Sequence, residues 1–296
     1  MHRPPSPIER ERSTIPLLLP ALLVLLLLFV GGLVFGLFQS LGYLPAAGLR
    51  DFSFSAYRSL FQSRGFLRSL VFTLSVSLIS TAGSVVIAVA TALLLRHRLR
   101  GRRVLLFAYQ LPLTVPYLVA AVGIMTLVSQ SGLLARLAYH IGLIAEPAAF
   151  PPLLYDDLGI GIILVYLWKQ IPFIGLVALA VLQSVGEDYE EQARTLGATG
   201  AQAVRHVLLP LVLPGVVPAS IIIFAFTFGA FEVPLLLGKR FPSMLSVLAY
   251  RQYVDVDLSS RPQAIATTIF IAVIVLVLVA IYRRLAEGQR DRGDRS

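Results

Sequence analysis

The sequence contains no cysteine and little charge. Without cysteine there is no disulfide, no thiolate metal site and no cysteine nucleophile. Charged residues make up only 14% of the 296, against 57% hydrophobic residues, whereas soluble domains carry about a quarter charged. The chain is therefore expected in a bilayer. Its four histidines, His2, His97, His140 and His206, show no ligand spacing, so neither a metal nor a haem cofactor is expected. No Gly-x-x-x-x-Gly-Lys-Ser/Thr loop occurs, and any ATP that drives the protein is bound by another chain. Asp156-Asp157 and Asp255 with Asp257 lie beside no nucleophile, histidine or metal pattern. They read as solvated loop acids, and the chain is not expected to be an enzyme. The net charge of +9 comes from arginines beside apolar spans, where anionic headgroups are the counter-charge and nucleic acid is not.

What is present is a series of long apolar stretches. After a polar tail of residues 1–14, the first span is expected at about Ile15 to Phe38, followed by an aromatic, partly helical interfacial segment up to residue 68. The core then runs over residues 69–283. Span two covers about Leu70 to Leu95, and Arg96 to Arg103 adds five arginines with no acid. Span three covers about Val104 to Val128, where Pro112 and Pro116 demand a kink or a cavity-lining irregularity. An outer loop of residues 129–157 leads to span four, about Leu158 to Leu182. Span five is about Leu211 to Leu237. A second outer loop, residues 238–262, precedes span six, about Ala264 to Tyr282, and a charged tail covers residues 284–296. The expected fold is an all-α membrane protein with about six transmembrane helices, placed in the cell's inner (plasma) membrane. With both termini in the cytoplasm, inner segments hold fifteen arginines, and outer segments hold nine arginines and lysines. That asymmetry favours this orientation.

The longest polar interval, residues 184–210, carries the most information. Ser184 with Glu187 reads as a capping box opening a short helix, and Gly197 is placed to close it in the left-handed conformation. Thr199 with Gln202 repeats the capping pattern, so a second short helix is expected to run to about Leu209. Its outer surface, Ala198, Ala201, Ala203 and Val204, is small and weakly apolar, which suits close approach by another protein.

Glu191, Ala193, Gly197, Val207, Leu209 and Pro210 fall in the register Glu-Ala-Ala, three residues, Gly, nine residues, aliphatic-x-Leu-Pro. This resembles the EAA loop of permease subunits in binding-protein-dependent ABC importers, with Gln192 departing where the family has Ala. The resemblance implies a type I ABC importer permease fold in which the loop docks on a cytoplasmic ATPase. It also implies two ATPase subunits, a second permease subunit (another copy or a homologue) and an extracytoplasmic substrate-binding protein. The segment Phe228 to Gly238 and Arg261-Pro-Gln-Ala264 look most like the spermidine/putrescine branch, making a polyamine the first choice of substrate. The same pattern overlaps with permeases for ferric iron, thiamine, sulfate and phosphonate.

Lys169 and Glu232 are the ionisable side chains well inside expected spans, and each is a candidate for the translocation pathway. Against that stand a snorkelling or structurally paired Lys169 and a Glu232 that reaches the outer interface. The hydroxyls of span two, Thr73, Ser75, Ser77, Ser80, Thr81 and Ser84, favour close helix packing over a pathway. An ion-coupled carrier or channel without an ATPase would need intramembrane acids or basic rings in several spans, and two such residues are a poor supply.

Because the native chain lacks cysteine, its topology is directly testable. Single cysteines in Arg98→Cys and Asp157→Cys should be labelled by an impermeant maleimide from opposite sides of the membrane. Labelling of both from one side would refute the orientation.

Overall fold

The computed structural model describes residues 18–97, 101–185 and 188–293. The tail of residues 1–14, the start of the first span, part of the Arg96–Arg103 run and Glu187 as a capping residue lie outside these. The helices are α1 (Leu18–Ser40), α2 (Ser55–Gln62), α3 (Arg64–Leu95), α4 (Arg102–Thr114), α5 (Tyr117–Val128) and α6 (Leu133–His140). They continue with α7 (Ile160–Val185), α8 (Asp188–Thr195), α9 (Gly200–Gly229), α10 (Glu232–Leu237), α11 (Leu245–Tyr253) and α12 (Arg261–Gly293). Six stretches are long and apolar enough to cross a membrane: Leu18–Ser40, Arg64–Leu95, Tyr117–His140, Ile160–Val185, Gly200–Gly229 and Leu258–Arg284.

The described residues form two compact units, one of residues up to 62 with 249–269 and one of residues 63–248 with those from 270 onward. In the first, the Tyr57 hydroxyl donates to Ser40 Oγ at 2.9 Å, and Gln263 Nε2 donates to Ser59 Oγ at 3.0 Å. Tyr43 stacks on Phe52 at 5.2 Å.

The second unit is built around α3, α7 and α9. Many buried residues of α3 are small, Ser77, Ser80, Ser84, Ala88 and Ala92 among them, and Ala88 and Ala92 share a core cluster with Ala178 of α7. Small side chains let helices approach closely in a bilayer, where water does not drive them together. Several hydroxyls of α3 satisfy their own helix: Ser80 donates to Val76 O and Thr73 to Ser69 O, both at 2.7 Å. One reaches across. Ser84 donates to Gln170 Oε1 (3.2 Å), and Gln170 Nε2 donates to Thr227 Oγ1 (2.7 Å), so one buried chain of hydrogen bonds joins α3, α7 and α9.

Several sequence expectations are corrected. The stretch expected as one span at Val104 to Val128 is two helices broken at Val115-Pro116. Proline drives the residue before it out of the helical region, and Val115 is extended at φ −81°, ψ 128°. Ser184 lies in the last turn of α7, donating to Val181 O at 2.8 Å. The helix after Gly197 does not stop at Leu209. It runs on as α9 to Gly229, passing Pro210 through a π-helical turn, Val204–Leu208, in which Leu209 N–H bonds to Val204 O. Pro210 has no N–H for an α-helical bond, and the wider turn accommodates it.

Span five ends early in turn, at Gly229, and Glu232 begins the separate helix α10. The outer loops contain α6 and α11, and the final charged segment remains helical to Gly293.

Tyr109 of α4 shows how tightly the second unit closes. Its hydroxyl donates to Ile171 O at 2.9 Å and lies 2.9 Å from Thr91 Oγ1. A Cβ on Gly175 would meet that hydroxyl at 1.8 Å. Gly175→Leu should therefore destabilise the protein in detergent by about 1–3 kcal/mol, an overpacking cost, with a lowered melting temperature that Tyr109→Ala partly restores. A melting temperature unchanged by Gly175→Leu alone would contradict this packing.

Candidate functional site

Two constellations deserve description, one in the polar interval and one among the helices. In the first, α8 is strongly polar, and its buried residues are Glu190 and Ala193. Gly197 follows at φ +87°, a left-handed conformation that costs other L-residues about 1–2 kcal/mol. Thr199 then caps α9 in a complete capping box: Gln202 N–H donates to Thr199 Oγ1 (3.3 Å), and Thr199 N–H to Gln202 Oε1 (2.8 Å).

Of the residues singled out in the sequence, Glu191, Gly197, Ala201 and Pro210 are exposed, while Ala198, Val207 and Leu209 are partly buried. Ala193 is buried. Ala203, expected on the outer surface, is fully buried, because α9 turns that face inward. The residue that projects is Leu196, 90% exposed beside the glycine turn. It is a large apolar side chain at the apex of a capped polar loop, and the sequence reading passed over it. Its signal was an isolated leucine beside the turn glycine. The reading also missed Glu190, which pairs with Arg96 at the end of α3 and with Arg194 at 2.8 Å.

The second constellation forms around the α4–α5 break. Pro116 lacks the N–H that would satisfy Pro112 O in a continuous helix. Lys169 of α7 supplies donors in its place: the ammonium donates to Pro112 O and to Val115 O and lies 4.8 Å from the centre of the Tyr117 ring. A cation at a helix C-terminus also meets the negative end of the helix dipole. No carboxylate pairs with Lys169 among the described residues.

Lys169, only 5% exposed, lines a pocket of about 260 Å³ with Leu113, Tyr117, Gln170, Phe173, Ile222, Ile223 and Phe226. Glu232 does not line it. That residue is exposed at the first position of α10, where a carboxylate favours the helix N-terminus. The structure thus does not bring the two pathway candidates together.

Residues 84–291 match the family of binding-protein-dependent transport system inner membrane components. The chain belongs to this family. It is 28% identical over 221 residues to the inner membrane ABC transporter permease protein YdcU of Escherichia coli, covering 72% of this chain and 70% of the relative. It is 26% identical over 285 residues to the trehalose/maltose transport system permease protein MalF of Thermococcus litoralis, covering 94% and 93%. In fold it is similar to a chain of a bacterial ABC transporter involved in the import of the acidic polysaccharide alginate, with a TM-score of 0.76 at 23% identity over 95% and 96% of the two chains. The protein is a permease subunit of an ABC importer and a multi-pass inner-membrane protein.

The turn at Gly197 makes a sharp prediction, because nothing lies within 4 Å of a Cβ built there. The constraint is therefore backbone conformation and not space. Gly197→Asn, which tolerates the left-handed region, should keep transport and ATPase association, whereas β-branched Gly197→Val should lose both. Equal behaviour of the two variants in co-purification and uptake would contradict this account.

Proposed function

We propose that this permease subunit docks a cytoplasmic ATPase through the exposed apex around Leu196 and Gly197, with Glu191 and Ala201 on the same loop. The observation that carries the reading is the 90% exposure of Leu196 on a loop held rigid by a left-handed glycine and a capping box. A preorganised apolar knob ringed by polar groups suits insertion into a partner's cleft. ATP hydrolysis belongs to that ATPase, present as a pair. A second permease subunit completes the pathway, and an extracytoplasmic binding protein delivers the substrate.

For the pathway we infer a role for the Lys169 pocket, and from it an anionic substrate of the sulfate or phosphonate kind. The polyamine reading rested on the likeness of Phe228 to Gly238 and Arg261 to Ala264 to the spermidine/putrescine branch, with Glu232 as a pathway candidate beside it, and Glu232 is absent from the pocket lining. The charged side chain of that lining is Lys169. A cationic substrate held about 5 Å from an ammonium, at an effective dielectric constant of about 20, would meet a repulsion of about 3 kcal/mol. An anion would gain by the same amount. The aromatic walls, Tyr117, Phe173 and Phe226, exclude water and strengthen either effect.

Lys169→Gln separates the two duties of this side chain, since glutamine still offers an N–H donor to the carbonyls but carries no charge. In proteoliposomes that hold the assembled complex with ATP enclosed and the binding protein supplied outside, labelled sulfate, a labelled phosphonate and labelled spermidine are the probes. The expected result is oxyanion uptake whose half-saturating concentration rises about ten-fold or more in Lys169→Gln, equivalent to about 1.4 kcal/mol of binding, with assembly unchanged. Spermidine uptake, or an unchanged half-saturating concentration, would return the substrate to the cationic class.

A further inference from the structure

The docking helix α8 has few attachments to the rest of its unit. It is polar, and its buried side chains are Ala193 and Glu190. Glu190 is an acid 8% exposed between two guanidinium groups. Arg96, the residue that ends α3, donates from Nη2 to Glu190 Oε2, and Arg194 Nη2 donates to Glu190 Oε1 at 2.8 Å. The two arginines differ in kind. Arg194 is on α8 itself, and its side chain is 60% exposed, so that pair stabilises only the local helix. Arg96 is 94 residues away in sequence, with side-chain exposure of 11% against 10% for Glu190.

Burial alone would push the Glu190 carboxyl upward, but the charge and hydrogen bonds of Arg96, with those of Arg194, outweigh it and hold the group below the usual carboxylate range. The pair therefore stays ionised through neutral pH. Sign follows from that direction: the stability it contributes is present above the ordinary carboxylate pKa and is lost as pH falls through the lowered one. Breaking it by removing one partner leaves a buried charge unpaired, which is costly. Arg96 follows directly on α3. It sits at the C-terminal end of α3, where a cation is favoured, and Arg102 Nε donates to the neighbouring Leu95 O at 3.1 Å.

The loop consequently has two outlets for a displacement. One is the unbroken helix α9, which carries it directly toward Thr227. The other passes through Glu190 and Arg96 into α3, which bears Ser84 of the buried hydrogen-bond chain.

We propose that the Arg96–Glu190 ion pair is the link that makes α3 move with the docking helix when the ATPase pulls on the loop, so that Glu190 is a positioning residue for coupling and not part of the docking surface. This rests on the proposed ATPase docking. Without the pair, α8 follows the ATPase while α3 lags behind.

The test uses the assembled complex carrying spin labels at Thr195→Cys on α8 and Ala90→Cys on α3, both at exposed positions. Distances are measured by pulsed electron resonance without nucleotide and after trapping with ATP and vanadate. With the native pair, the α8–α3 distance distribution should be the same in both states, because the two helices move as one body. In Glu190→Gln the ATPase should still co-purify, but the distribution should shift or broaden on trapping. Arg96→Gln, which removes the other partner, should give the same result and guards against misfolding of the first variant.

A distribution insensitive to nucleotide in both variants would overturn the link, as would a change with the native pair intact. Loss of the ATPase in both variants would overturn it as well, by showing that the pair only builds the docking surface. Failure of any ATPase to co-purify with the otherwise native labelled protein would instead overturn the docking reading, and the proposal with it.

Discussion

Inside a bilayer a carbonyl that loses its amide partner has no water to turn to. Breaks in the membrane helices create that situation, and the second unit shows three answers to it. Pro116 leaves Pro112 O without its helical donor, and Lys169 supplies one from α7. Ala230 stands extended between α9 and α10, and the Ser246 hydroxyl donates to its carbonyl. Pro210 comes where α9 leaves the polar loop, and there the backbone answers by widening into a π turn. The first two answers come from other elements, so they also fix where those elements meet.

The same economy explains the loop. A polar segment outside the membrane cannot be held by apolar burial, and α8 has little apolar surface to bury. Its geometry is imposed instead by local chemistry: a glycine that takes a positive φ, a reciprocal cap at Thr199 and Gln202, and one carboxylate buried between arginines. Each device is directional, where hydrophobic contact is not. A loop held in this way can pass a displacement into α9 and α3 without first absorbing it, which is the mechanical requirement for coupling an ATPase to membrane helices.

Much of this was legible in the sequence for a physical reason. The apolar runs, the proline break at Val115-Pro116, the Gly197 turn and the Thr199 cap are local, and local chemistry is written in adjacent residues. The helix limits failed where a competing effect was stronger. Pro210 looked like a boundary, yet the π turn carries the helix through it. Glu232 looked intramembrane because its neighbours are apolar, but the chain breaks at Ala230 and Phe231 just before it. What could not be read were partners remote in sequence. Nothing near Glu190 announces Arg96, and nothing near Lys169 announces Pro112, which is 57 residues away.

The double duty of Lys169 has a consequence for how a pathway can open. An ammonium has three donors, and two are engaged by the carbonyls of Pro112 and Val115. On the proposed reading, the substrate and the α4–α5 break draw on the same charged group. A substrate anion that binds without displacing the carbonyls stabilises the ammonium and hence the break. One that draws the ammonium away leaves both carbonyls unsatisfied in a site without bulk water. In either case substrate occupancy and the geometry of the break are linked, and the linkage is reciprocal: a helix arrangement that holds the break shut must change the affinity for the substrate by the same factor. An importer needs such reciprocity, because substrate must bind in one conformation and leave in the other.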